Sequence, residues 1–234
     1  MIEVRVTSGL RDEEVESSYG GLYGYKPKSI LDQANCLHDL FPRLGPADLN
    51  LADNPIPEGA EGWFLIPRWA KIAPTYGQAV EKVLAMISQI GNGKFHNYHD
   101  GALGPDHLRQ HDRTASMLQK VSDQQKQNDI IVLAGQFGHR HRGRSVRRVR
   151  KIYDVSEFGL GAFSVGVMLL THPDRLMNFD DLWIDCAGDE YSPGNSSQFE
   201  YAPFFFYDDK VKFFTCWFGN ALDKSGSASG FGVQ

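Results

Sequence analysis

Between Pro74 and Ile90 the apolar positions Val80, Val83, Leu84, Ile87 and Ile90 form one stripe at helical spacing. Gly91-Asn92-Gly93 follows and closes the run. The pattern predicts an amphipathic helix. A second helix is expected from Ser29, which can cap a segment with Ile30, Ala34, Leu37 and Phe41 on one side and Pro42 as its stop. A third is expected from Pro105 to about Gln125, with the thin apolar face Leu108, Ala115, Leu118 and Val121. Phe158 to Leu170 is apolar all round and predicts a buried helix.

Strand signals are shorter. Met1 to Thr7 alternates, with Ile2, Val4 and Val6 on one side. Trp63 to Ile66, stopped by Pro67, and Ile130 to Ala134, opened by Asp129, are compact apolar runs of the kind that sit in covered sheets. Leu182-Trp183-Ile184 is a further short strand. Phe204 to Phe206 and Val211 to Phe218, joined through Asp208-Asp209, predict a β-hairpin. Ser145 to Val155 fits strand or helix. Residues 9–28, 45–62 and 135–144 read as loops. The Gly/Ser-rich segment 225–234 is expected to be tucked down or frayed.

Helices alternating with short strands, then a hairpin, predict an α/β or α+β fold. The expected architecture is a single domain over 1–234 with a mixed β-sheet covered by helices and a C-terminal aromatic β-hairpin. The 234 residues, 41% apolar and 12% aromatic, allow a sizeable core. They exclude a collagen-like chain, a coiled coil or a chain disordered throughout. The longest apolar stretch is too short and too glycine-rich to span a bilayer. The amino-terminal residues do not read as a secretory leader. Three well-separated cysteines give no disulfide framework, and the expected compartment is the cytoplasm. The sequon Asn195-Ser196-Ser197 is therefore read as chance.

Charge changes the picture at one place. The chain is net −5, which argues against a generic polyanion binder. Yet 139–151 concentrates six arginines and one lysine. Arginine makes paired hydrogen bonds to phosphate or carboxylate and keeps its charge when partly buried. The leading expectation is an anionic or phosphate-rich ligand (a nucleotide, RNA or a phosphorylated metabolite) held by Arg140, Arg142, Arg144, Arg147 and Arg148. The bland alternatives are pairing with the chain's own acids, or arginines facing water.

Three further candidates follow. Asp185, Cys186, Asp189 and Glu190 lie beyond a strand end and could form a catalytic centre, with a carboxylate as base, the thiol as nucleophile and the arginines as substrate clamps; a solvated turn is the plain alternative. His107 and His111, four apart on the expected helix, could share a metal, though nothing beyond the spacing marks them. The aromatic hairpin, with Phe205, Phe214 and Trp217 on its second face, could mediate assembly into a homo-oligomer, or pack into the core. Ala162 to Gly166 lacks the order of a hydrolase nucleophile elbow. No phosphate loop or dinucleotide fingerprint appears, so the sequence names no cofactor.

Overall fold

The computed structural model describes residues 13–20, 25–194 and 198–232. The expected first strand and the sequon lie outside these. Ser29 accepts a hydrogen bond from the Asp32 N–H and so caps α1 (Ile30–Leu40). Thr75 does the same at Gln78 for α3 (Tyr76–Ile90), which follows a short α2 (Trp69–Ile72). β1 (Gly62–Pro67) precedes them. The two elements that close this half are β2 (Phe95–Asn97) and β3 (Leu108–Gln110). The helix expected from Pro105 begins later. Residues 104–107 form a turn, β3 follows, and α4 (Asp112–Gln124) starts behind His111, whose ring accepts the Arg113 N–H. Proline suits a first helical turn but also a β-turn, and here the turn prevails.

β4 (Ile130–Gln136) is buried at every position. After it come α5 (Val146–Ile152), capped by Ser145, β5 (Glu157–Gly159) and α6 (Ala162–Thr171). The apolar run at 158–170 is therefore split: its first residues are strand, and only the remainder is helix. All ten residues of α6 are buried, and α3, α1 and β1 pack around it. The chain ends in β6 (Trp183–Asp185), β7 (Asp189–Tyr191), β8 (Tyr201–Tyr207), β9 (Val211–Trp217), β10 (Ser225–Ser227) and β11 (Ser229–Phe231).

The strands form two sheets. One is antiparallel, in the order β1-β4-β11-β5. The other is mixed. Its main path is β10-β6-β8-β7-β3, with β9 beside β8 and β2 beside β9; the β10–β6 and β2–β9 pairs are parallel. This is a mixed α/β fold with the aromatic hairpin β8–β9 in place. Its register pairs Phe205 with Phe213 on the core side and Phe204 with Phe214 on the other. Phe205 is thus a core residue, not part of an outer face, while Phe214 is 40% and Trp217 43% exposed.

The Ser/Gly-rich tail does not fray. β10 completes the edge of one sheet, Ala228 turns, and β11 inserts between β4 and β5 of the other. Ser225 to Phe231 are all buried. Small side chains are needed here because backbones come very close. A Cβ on Gly226 would lie 2.2 Å from the Gly138 carbonyl oxygen. Among the described residues no helix is long and apolar enough to cross a membrane.

Candidate functional site

Gly138 adopts φ +108°, a left-handed conformation that suits glycine. It turns the chain from β4 into one 3-10 turn over His139–His141. The arginine segment starts there and winds onto α5. Most of its guanidinium groups already face carboxylates. Arg140 contacts Asp154 at 3.0 Å and Glu157 at 3.4 Å. Arg144 and Arg148 meet Glu14, at 2.8 and 3.5 Å. Arg147 is held by Glu13 at 2.5 Å and lies over the Trp217 and Phe218 rings. Arg150 donates to the Ala187 and Asp189 carbonyl oxygens and lies 3.6 Å from Glu190. Of the segment's arginines, Arg142 has no carboxylate partner among the described residues. It is exposed, and its Nη1 lies 3.2 Å from His139 Nε2.

The four residues 185, 186, 189 and 190 are close in sequence but point apart. Asp185 is buried and accepts from Ser225 Oγ at 2.9 Å; burial pushes its carboxyl up to about 7. The Cys186 thiol is buried, and burial together with Asp189 and Asp185 drives its pKa well up. That is the opposite of an activated nucleophile. Asp189 faces the start of α6, where it accepts from Tyr76 OH at 2.7 Å and from the Ala162 N–H at 2.7 Å. Burial raises it to about 7 against those hydrogen bonds. Glu190 pairs with Arg109 at 2.8 Å across β3–β7. Arg150 is what links this loop to the arginine segment.

His107 Nδ1 lies 2.9 Å from the Ser192 carbonyl oxygen, and His111 caps α4. Since α4 begins after both, they do not share a helical face. Among the described residues no group of three histidine, cysteine or carboxylate side chains is arranged to hold a metal ion.

Two polar clusters escape the sequence patterns. Beneath α5, Glu157 Oε1 accepts from His141 Nε2 at 2.7 Å and from Ser229 Oγ at 2.6 Å. Burial opposes ionisation of Glu157, but these bonds and the His141 and Arg140 charges outweigh it and lower its pKa. The Tyr153 ring stands edge-on to His141 at 5.4 Å. Asp185 and Ser227 are cross-strand neighbours close by. The spacing of Ser225, Ser227 and Ser229, alternate positions of a strand-like run, was the available signal.

The second cluster lies under His139. Arg175 is fully buried; it donates to the carbonyl oxygens of Leu182 and Phe137 and lies over the rings of Tyr25 and Phe137. Glu61, whose own N–H bonds the Gly135 carbonyl oxygen, sits beside it at the edge of β1. Burial raises the Glu61 pKa, with Arg175 and the Phe137 and His139 N–H groups opposing. Outside these residues the Tyr19 ring stands edge-on to His139 at 6.3 Å. Tyr19 also lines a polar cleft of about 310 Å³ with Ser18, Gly20, Asp180 and Lys224. Burial, then the Arg142 and Arg175 charges, lower the His139 pKa, so the neighbouring guanidinium groups favour the neutral ring.

Compared with protein-family models, curated proteins and solved structures, the chain matches none significantly.

Proposed function

We propose that this protein binds a small anionic ligand at Arg142, on the loop after β4. The observation that carries this reading is the contrast within one segment. Arg140, Arg144, Arg147, Arg148 and Arg150 face carboxylates, and Arg142 stands exposed beside His139 without one among the described residues. A guanidinium that has no internal counter-charge keeps its fork of donors for a phosphate or carboxylate. Lys224, two residues before the Gly226 that bridges to Arg142, lines the adjoining cleft but faces Asp180 there at 3.8 Å, which leaves Arg142 as the cation this reading rests on. A long polyanion such as RNA needs several free cations in a row; the pairing of the neighbours favours a phosphorylated or carboxylate metabolite instead.

Thermal-shift and calorimetric titration with inorganic phosphate and a nucleoside monophosphate at low salt test this. Binding is expected in the wild type and lost in Arg142→Glu, whereas Arg144→Glu lowers stability and leaves ligand binding in place. Equal binding by wild type and Arg142→Glu would remove the proposal.

A second reading, self-association, is favoured by the partly exposed outer face of the hairpin sheet, where Phe204 is covered and Phe214 and Tyr98 are not. Trp183, Phe204 and Phe206 stack on one another, with centroids 5.1 to 5.8 Å apart, and Phe214 and Tyr98 continue the ladder at 6.1 and 4.9 Å. Both Phe214 and Tyr98 are exposed. A contiguous aromatic surface of this kind suits a subunit contact.

A further inference from the structure

Where the carboxyl ends of α3 and α6 meet the turn of the β8–β9 hairpin, a cavity of about 290 Å³ opens. It shares no lining residue with the polar cleft beside Tyr19. Leu169, Leu170 and Leu176 are its buried lining. Tyr207 and Val211, cross-strand partners at the end of the hairpin, form another wall. The last wall is the end of the α3 stripe. Val80, Val83 and Leu84 of that stripe are buried in the core, whereas Ile87 is only partly covered and Ile90 is 46% exposed. Met177, in the same lining, is 55% exposed. Apolar surface gathered in a concavity and left open to water marks a site for an apolar ligand.

The charges at this cavity have one sign. Among the described residues its charged lining consists of Lys94 and Lys210. Lys94 stands on the turn after α3, where its backbone N–H donates to the Gly91 carbonyl oxygen at 2.9 Å. It is exposed and meets no carboxylate among the described residues. Lys210 lies 3.8 Å from Asp209, but that carboxylate is held more closely by Lys212, at 3.0 Å. An apolar recess with ammonium groups at its rim complements a molecule that has a hydrocarbon chain and one anionic end. Lysine is a point charge without arginine's planar fork, so a single carboxylate satisfies it. A cavity of about 150 Å³ admits benzene; this one, about twice as large, admits a chain of roughly eight to ten carbons.

We infer that this cavity binds a free medium-chain fatty acid, with the chain against Leu169, Leu170 and Leu176 and the carboxylate at Lys94. It is a second site, separate from Arg142.

Calorimetric titration of the full chain at low salt and neutral pH, with octanoate, hexanoate and 1-octanol, tests this. Wild-type protein is expected to bind octanoate about fivefold more tightly than octanol, the worth of one ion pair near the surface. Hexanoate is expected to bind roughly fifteenfold more weakly than octanoate, at about fourfold per methylene. Lys94→Met combined with Lys210→Met keeps the length of both side chains and removes their charge; it is expected to abolish the preference for octanoate and leave octanol binding unchanged. Met177→Asp, at an exposed position, is expected to weaken octanoate more than octanol. Arg142→Glu is expected to bind octanoate as the wild type does, even if phosphate binding is lost; a loss of octanoate binding there would put the carboxylate at the anion site and overturn the inference. No binding of octanoate by the wild type, equal affinity for octanoate and octanol, or a preference that survives the double lysine variant also overturns it. Co-sedimentation with phosphatidylglycerol vesicles without binding of free octanoate would assign the cavity to a membrane surface instead, and counts against it equally.

Discussion

Glu13 and Arg147 are 134 residues apart in sequence, yet the Glu13 carboxylate accepts from both Nε and Nη2 of that guanidinium. The same carboxylate takes the Ser145 hydroxyl at 2.7 Å, and the Glu13 carbonyl oxygen takes the Ser145 N–H. Arg147, with Ser145 and Lys151 helping, holds the Glu13 pKa below its usual range against the effect of burial. With Glu14 reaching Arg144 and Arg148, a short acidic strap fastens the start of α5.

Removing the strap's charges should expose the cations. Glu13→Gln combined with Glu14→Gln is expected to lower stability by about 1–3 kcal/mol, because hydrogen-bonded groups lose charged partners. The same variant is expected to gain salt-sensitive affinity for single-stranded RNA over the wild type. Filter binding at two salt concentrations, with a melting curve, measures both.

Two buried aspartates should contribute more stability in acid than in base. The carboxyls of Asp185 and Asp189 move from an ordinary 3.8 to about 7 on folding, chiefly through burial. Between those values the folded chain holds protons that the unfolded chain has released. Their contribution is therefore complete below about pH 4 and is lost as pH rises through about 7. Asp185→Asn is expected to raise the melting temperature at about pH 8 by several degrees, at roughly 2–4 °C per kcal/mol for a chain of this size. At about pH 4 the two proteins should melt alike. Calorimetric scans across that range decide it.

Gly226→Ala is expected to cost about 3 kcal/mol or more, since the new methyl would meet the Gly138 backbone. Gly104→Ala, which meets nothing within 4 Å, is expected to change stability by no more than about 0.5 kcal/mol. Denaturant unfolding of the two variants side by side gives the comparison.

Sedimentation of the wild type is expected to show a concentration-dependent dimer, and Phe214→Ser to shift it to monomer with no fall in melting temperature. A wild type that stays monomeric at every concentration removes the self-association reading.

Strong local signals made much of the fold legible. The stripe of α3, the Ser29 cap of α1, the compact runs of β1 and β4 and the hairpin β8–β9 all follow from spacing and punctuation. β11 did not, because Ser229 and Gly230 earn their central place by being small where backbones converge, and smallness carries no periodic pattern. The arginine segment was visible as charge. Pairing with the chain's own acids stood as an alternative, but Glu13, Glu14 and Asp154 were not legible as the partners, since they reach the segment only through the fold. Glu61 and Arg175 show the same limit: one of four acids in a proline-rich loop and a lone arginine after a buried helix become neighbours only in the folded chain.

The place of β11 also bears on how this protein can be made. β4 and β5 do not bond to each other; each pairs instead with β11, which lies far along the chain from both. Until Ser229 to Phe231 arrive, both edges stand bare, each an open invitation to a neighbouring nascent chain. Closure of the antiparallel sheet therefore waits on residues far along the chain from the two strands they join, and those residues cover edges that would otherwise invite aggregation.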